Sequence, residues 1–129
     1  MTLKEYHLGC SGWYYNHWIK RFYPKKLKKS DWLEYFSQHF NTVEVNSTFY
    51  RFPRENMLNS WYKKTPKDFL FTLKVNQIIT HRKKFNETQD LLNRFYNLSK
   101  NLGNKLGCLL FQIPLYISVN MEFLENVID

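Results

Sequence analysis

The sequence predicts an α/β fold of four consecutive βα units, and three features carry that reading. Strand-like segments alternate with helical ones, successive strand starts fall roughly 27 to 38 residues apart, and two of the strands gather their polar residues on a single face. Such spacing is what a crossover between parallel strands requires. The chain has 129 residues, 43% apolar and 19% aromatic, which suffices for one packed domain spanning residues 1–129 and excludes a disordered segment.

The expected strands run from Tyr6 to Cys10, Thr42 to Asn46, Phe69 to Val75 and Gly107 to Ile113, each ending at polar, Gly or Pro positions. A connection of more than about 15 residues precedes the first helix, a length typical of lids and binding surfaces. Asp31-Trp32-Leu33-Glu34 opens that helix with an acidic cap, and Trp32, Leu33, Tyr35, Phe36 and Phe40 recur at helical spacing. A second helix spans about Glu55 to Lys64, basic at its end and stopped by Pro66. For the third, Asn86 is the expected cap, Leu91, Leu92, Phe95, Tyr96, Leu98 and Leu102 form one face, and Gly103 follows as a left-handed terminator. A fourth begins between Asn120 and Ile128.

A βα series either opens into a doubly wound sheet or closes into a barrel. Val43 and Val45 point away from Glu44 and Asn46, and Phe71, Leu73 and Val75 oppose Thr72, Lys74 and Asn76. A sheet covered by helices on both faces is normally apolar on both. Polar residues on one face, toward the carboxyl ends, are what a barrel lumen leading to a pocket needs.

Charge and cysteine usage bound the setting. Nineteen Lys and Arg against eleven Asp and Glu give a formal charge of +8, which permits attraction to phosphates or nucleic acid. With no Ala and many Lys and Asn, coding bias offers a second source for that excess. The start, Met1-Thr2-Leu3-Lys4-Glu5, lacks the apolar stretch of a secretory signal, and no apolar run is long enough to cross a bilayer. Cys10 and Cys108, far apart in apolar segments, read as small buried hydrophobes. A reducing cytoplasm is the expected compartment.

At certain residues the sequence becomes familiar. Gly9-Cys10-Ser11-Gly12-Trp13, Trp18, Phe22-Tyr23-Pro24, the block from Phe40 through Asn46-Ser47-Thr48-Phe49-Tyr50 to Arg51, Trp61, Thr65-Pro66, Thr80-His81 and Leu109-Leu110-Phe111-Gln112-Ile113-Pro114 resemble the domain of unknown function 72 family, also called YecE-like. The resemblance runs in order from about Leu8 to Pro114. It implies a TIM-type barrel in soluble, mostly prokaryotic proteins without an established activity. It also implies members about twice this length, so that the chain corresponds to the first four βα units, a half barrel. A truncated or split product, inactive alone, is one consequence. Four parallel strands leave the outer two with unpaired edges, and either self-association or a separately encoded second half is expected to cover them.

In barrel enzymes the working groups sit where strands run into the following loops. Glu44 as base, Lys74 as electrostatic stabiliser and His81 as acid-base group are the catalytic candidates. Ser11, Trp13, Asn46, Thr48, Tyr50, Asn76 and Gln112 are the ligand-binding ones. The bland alternative makes Glu44 and Lys74 a buried ion pair with Gln112 satisfying spare hydrogen bonds, and Asn46, Ser47 and Thr48 caps of their own loop. His7, at the start of a strand, reads as structural, while His17 lies in a loop and His39 near a helix end. No His-Glu-x-x-His or Cys-x-x-Cys spacing offers a zinc site, and no cofactor is indicated.

Two functions compete. One is an enzyme acting on a small polar or phosphorylated substrate at the barrel mouth. The other is a nucleic-acid-binding module using Trp18 with Arg21, Lys25, Lys26, Lys28 and Lys29, in which aromatic rings stack on bases while the cations hold phosphates. Packing of the aromatic cluster and solvation of the charge run are the structural readings of the same residues.

Overall fold

Alternating apolar and polar side chains set up short strands, and a computed structural model, which describes residues 5–118 and 120–128, joins them into one sheet. β1 (Gly9–Ser11), β2 (Thr42–Val45), β3 (Leu70–Lys74) and β4 (Leu106–Leu110) lie in the order β1-β2-β3-β4, every neighbouring pair parallel. β1 is shorter than its apolar run predicts because a side chain replaces the ladder ahead of it. Asn41 Oδ1 accepts from the Leu8 N–H at 2.7 Å, and its Nδ2 donates to the Tyr6 carbonyl at 2.7 Å. At Gly9 the strands come so close that a Cβ would lie 1.9 Å from the Thr42 carbonyl oxygen, so only glycine fits. β4 stops at Leu110, ahead of the expected Ile113, with the Leu110 carbonyl accepting from the Val75 N–H at 2.9 Å.

The helices are α1 (Trp32–Ser37), α2 (Ser47–Tyr50), α3 (Glu55–Lys64), α4 (Gln89–Ser99) and α5 (Met121–Ile128). α3 matches its expected span. α2 is a single turn, too short for its periodicity to show. α1 ends before Phe40, and α4 begins at Gln89, three residues after the expected Asn86 cap. The cause is Phe85, which turns inward to pack against the core, its N–H donating to the Ile79 carbonyl at 2.8 Å. That turn holds Lys84, Phe85 and Glu87 at φ of 49°, 62° and 50°, incompatible with a helix start. Gly103 does adopt a positive φ of 53°, but inside a 3-10 stretch, Lys100–Lys105, that follows α4.

Strand order decides where the helices go. When each strand is added at the same edge through crossovers of one hand, the connecting helices fall on one face of the sheet. The core agrees: Val43, Val45, Phe71, Leu73 and Val75 from the strands form one buried cluster with Leu33 and Phe36 of α1, Leu58 and Trp61 of α3, and Phe95 of α4. The register puts Ser11, Thr42, Glu44, Thr72, Lys74, Cys108 and Leu110 on the opposite face. Cys108 is therefore exposed, with Sγ 3.1 Å from Thr72 Oγ1, contrary to the expectation of a buried hydrophobe. Among the described residues its face carries no covering layer. Cys10 points the other way and is half-buried against the core.

The long connection, residues 12–31, folds back onto α1 through its rings. Tyr23 stacks on Trp32 at 4.5 Å between centroids, Trp18 stacks on Phe36 at 6.4 Å, and Phe22 meets Tyr35 edge-on at 5.3 Å. Tyr23 is buried and its hydroxyl donates to the Trp13 carbonyl. Burial first, and Cys10 second, push its phenol far above the ordinary range near 10. On the other side of the core, Lys105 is only 5% exposed. Its Nζ donates to the Tyr62 and Thr65 carbonyls at 2.6 and 2.7 Å and to Thr65 Oγ1 at 3.2 Å, closing the carboxyl end of α3. No helix among the described residues is long and apolar enough to cross a membrane. Residues 1–4, on which the expectation about a leader rests, lie outside the described residues.

Two predictions concern stability. Lys105→Met leaves the buried Thr65 carbonyl and the part-buried Tyr62 carbonyl without their donor and is expected to lower the unfolding free energy by about 1–3 kcal/mol in urea titrations. An unchanged midpoint would mean that water replaces the ammonium at no cost. The raised Tyr23 phenol means that above about pH 10 the unfolded chain releases a proton that the folded chain keeps, so stability falls with rising pH from there. Denaturation midpoints compared at about pH 9 and about pH 11 should fall more in the wild type than in Tyr23→Phe.

Candidate functional site

The polar side chains on the uncovered face meet where β1 and β2 end. Ser11 lies beside Glu44 in register, and its Oγ donates to Glu44 Oε1 at 3.1 Å. Asn46 Nδ2 donates in turn to Ser11 Oγ at 2.9 Å. Main-chain bonds hold this relay in place: the Gly12 N–H donates to the Glu44 carbonyl at 2.8 Å, and the Tyr15 hydroxyl donates to the Ser11 carbonyl. One carboxylate thus stands at the rim with a hydroxyl and an amide aligned behind it.

Lys74 shares the face from the next strand, two positions beyond the residue paired with Glu44, a Cα separation of roughly 8 Å from standard sheet spacings. The alternative ion pair with Glu44 does not form. Lys74 Nζ lies instead 4.6 Å from the centroid of the Phe49 ring, and His81 meets the same ring edge-on at 5.1 Å. His81 sits in a π-type turn, Ile78–Arg82, with Nδ1 2.7 Å from Thr80 Oγ1. Phe49 therefore joins the ammonium to the imidazole. Phe49 lies within the block that carries the family resemblance, but local spacing does not mark it as a bridge between two side chains.

Other expected site residues divide by burial. Thr48 and Asn76 are buried and engaged with main-chain groups: Thr48 Oγ1 donates to the Lys74 carbonyl at 2.7 Å, and Asn76 Nδ2 donates to the Thr48 carbonyl at 3.1 Å. They fasten α2 to the end of β3, which makes them positioning residues for Phe49 and Lys74. Tyr50 and Gln112 are exposed, the latter just past β4. Trp13 is half-buried and edge-on to Trp61 at 5.2 Å. Arg21, Lys25, Lys26, Lys28 and Lys29 are all exposed, but Trp18 packs beside the core, so its ring serves the fold.

A cavity of about 410 Å³ opens beside the relay, walled by Trp13, Tyr14, Tyr15, Met57 and Trp61, with Asn46 among its polar groups. Met57 and Trp61, apolar positions of α3 outside the expected site residues, join the wall because packing turns that part of α3 toward the loop after β1. Among the described residues no group of three or more His, Cys, Asp or Glu side chains is placed to hold a metal ion.

Comparison with known proteins bears on this geometry. The family described as Protein of unknown function DUF72 matches residues 7–129. The chain belongs to the DUF72 family. Curated relatives include the UPF0759 protein YecE of Escherichia coli strain K12, 27% identical over 108 residues, covering 84% of this chain and 37% of the relative. The UPF0759 protein YunF of Bacillus subtilis is 30% identical over 122 residues, covering 90% and 42%. The crystal structure of a DUF72 family protein from Thermotoga maritima superposes with a TM-score of 0.78 at 29% identity, covering 94% of this chain and 50% of that one. A DUF72 family protein from Enterococcus faecalis, at 19% identity and a TM-score of 0.68, shares the fold. This DUF72 chain thus spans half or less of the length of these relatives.

The uncovered face has a direct chemical readout. In the dilute, folded chain a thiol reagent is expected to label Cys108 faster than Cys10, located by peptide mass spectrometry, with Cys108→Ser removing the fast phase. Equal rates at the two cysteines would contradict the exposure of β4.

Proposed function

We propose that these four βα units form one half of a closed TIM-type barrel, which acts on a small polar or phosphorylated substrate at the carboxyl ends of its strands. The observation that carries this reading is the one-sided cover of the sheet. A singly wound parallel sheet with helices on one face and Ser11, Glu44, Thr72 and Lys74 on the other has the layering of a barrel wall, whose inner face becomes a lined lumen on closure. The exposed aliphatic side chains support it. Leu8 lies just ahead of β1, while Leu110, Leu115, Met121 and Ile128 lie at or beyond the end of β4, so apolar surface flanks both open edges. Strands from outside these residues would cover it.

In this reading Glu44 accepts a proton from the substrate, with Ser11 and Asn46 holding its carboxylate in one orientation. Lys74 stabilises the negative charge that develops on a substrate oxygen, and His81 exchanges protons at the far side of Phe49. The exposed basic connection remains a surface that can draw anions toward the rim.

The test is a panel of sugar phosphates, nucleotides and other polar metabolites incubated with the protein, with products followed by mass spectrometry. Turnover of at least one compound is expected, reduced about 10²- to 10⁴-fold by Glu44→Gln with the thermal midpoint retained. Turnover that survives the substitution, or none across the panel, would falsify the catalytic assignment.

A further inference from the structure

On the other side of the relay the molecule carries a cleft in two compartments. The aromatic cavity described above adjoins a second one of about 600 Å³, walled by Arg51, Arg54, Asn56 and Ser60, and Ser47 and Met57 contribute to both walls. Each volume falls within the range of small-molecule sites, about 300–1,000 Å³. Apolar side chains line both, Phe52 and Met57 in the second, and the two differ in charge. One offers aromatic rings: Trp13 is half-buried and edge-on at 5.2 Å to the buried Trp61, and Tyr14 is 58% exposed beside them. The other offers two exposed guanidinium groups, neither ion-paired among the described residues.

Aromatic rings take up a flat, apolar ligand by stacking, and that affinity tolerates different rings. Guanidinium forks match the oxygens of a phosphate, which they can bind in bidentate fashion. A site with both, side by side, suits a ligand with a ring at one end and a dianion at the other. We propose that this cleft binds a nucleoside monophosphate, its base on Trp13 and Tyr14 and its phosphate on Arg51 and Arg54. The inference names a substrate class for the site proposed above. It rests on that reading only in bringing the ligand to the chemistry, since Asn46 both lines the aromatic compartment and donates to Ser11 Oγ at 2.9 Å.

The experiment titrates the chain with adenosine 5′-monophosphate, adenosine, inorganic phosphate and a short single-stranded oligonucleotide, by calorimetry and tryptophan fluorescence. The monophosphate is expected to bind best and to change the fluorescence, because Trp13 and Trp61 wall the cavity. Replacing Arg51 and Arg54 together by Gln should weaken it by about tenfold or more while leaving adenosine unaffected. Tyr14→Ala should weaken both by about tenfold. All three side chains are exposed, so circular dichroism of the variants should match the wild type. Monophosphate binding that ignores the two arginines, inorganic phosphate binding as tightly as the nucleotide, or binding of the oligonucleotide alone overturns the proposal. Binding is read without turnover, so an intact nucleotide site with no catalysis defeats the enzyme reading alone. Turnover of another compound with no nucleotide binding defeats this one alone.

Discussion

A parallel sheet with apolar cover on only one face is the constraint on which the rest of this DUF72 chain depends. Val43, Val45, Phe71, Leu73 and Val75 give the helices a continuous apolar floor, and the core forms there. Because strand side chains alternate, the same backbone must present Glu44, Thr72 and Lys74 to the other side. Burying a carboxylate and an ammonium without full compensation is costly, which disfavours apolar cover over that face. The polar rim and the uncovered face are one physical fact seen twice.

Aromatic contacts do the work that a larger core does in longer chains. The connection from β1 to α1 is turned by its own main-chain bonds, such as the Tyr23 N–H to the Trp18 carbonyl at 3.0 Å, while Tyr23 on Trp32 and Trp18 on Phe36 pin it against the helix. The Tyr23 hydroxyl then fixes the main chain at Trp13, at the mouth of the aromatic cavity. At the opposite end Lys105 closes α3 where β4 begins. Stability therefore concentrates below the sheet and in the ring cluster, leaving the carboxyl ends of the strands polar and accessible.

The candidate site is organised by intermediaries. Glu44 is oriented by Ser11, and Ser11 by Asn46. Phe49 separates Lys74 from His81 while touching both, and Thr48 and Asn76 set the position of α2, which carries Phe49. Charged groups held near each other without pairing retain their capacity to act on a third molecule. An ion pair at the same place would have spent it.

Much of this was legible along the chain, and the reason is periodicity. Alternation in Thr42–Val45 and Leu70–Lys74 announces strands with one polar face, and α3 shows its span because Pro66 and a basic end mark its limit. Glu44 and Lys74 could each be placed on the polar side of its own strand from that alternation alone. What alternation cannot reveal is depth. Cys108 sits in an apolar run yet is exposed, because exposure depends on whether another layer lies above it. Thr48 and Asn76 are polar yet buried, because their partners are main-chain groups of other segments. Phe85 overrode a good helix cap for the same reason, drawn inward by neighbours far away in sequence. The sequence by itself determined the parallel βα series and the faces on which its polar residues lie, since both follow from local spacing. Only the tertiary structure decided which polar groups meet and which rings build a cavity, since these depend on contacts between segments that spacing does not encode.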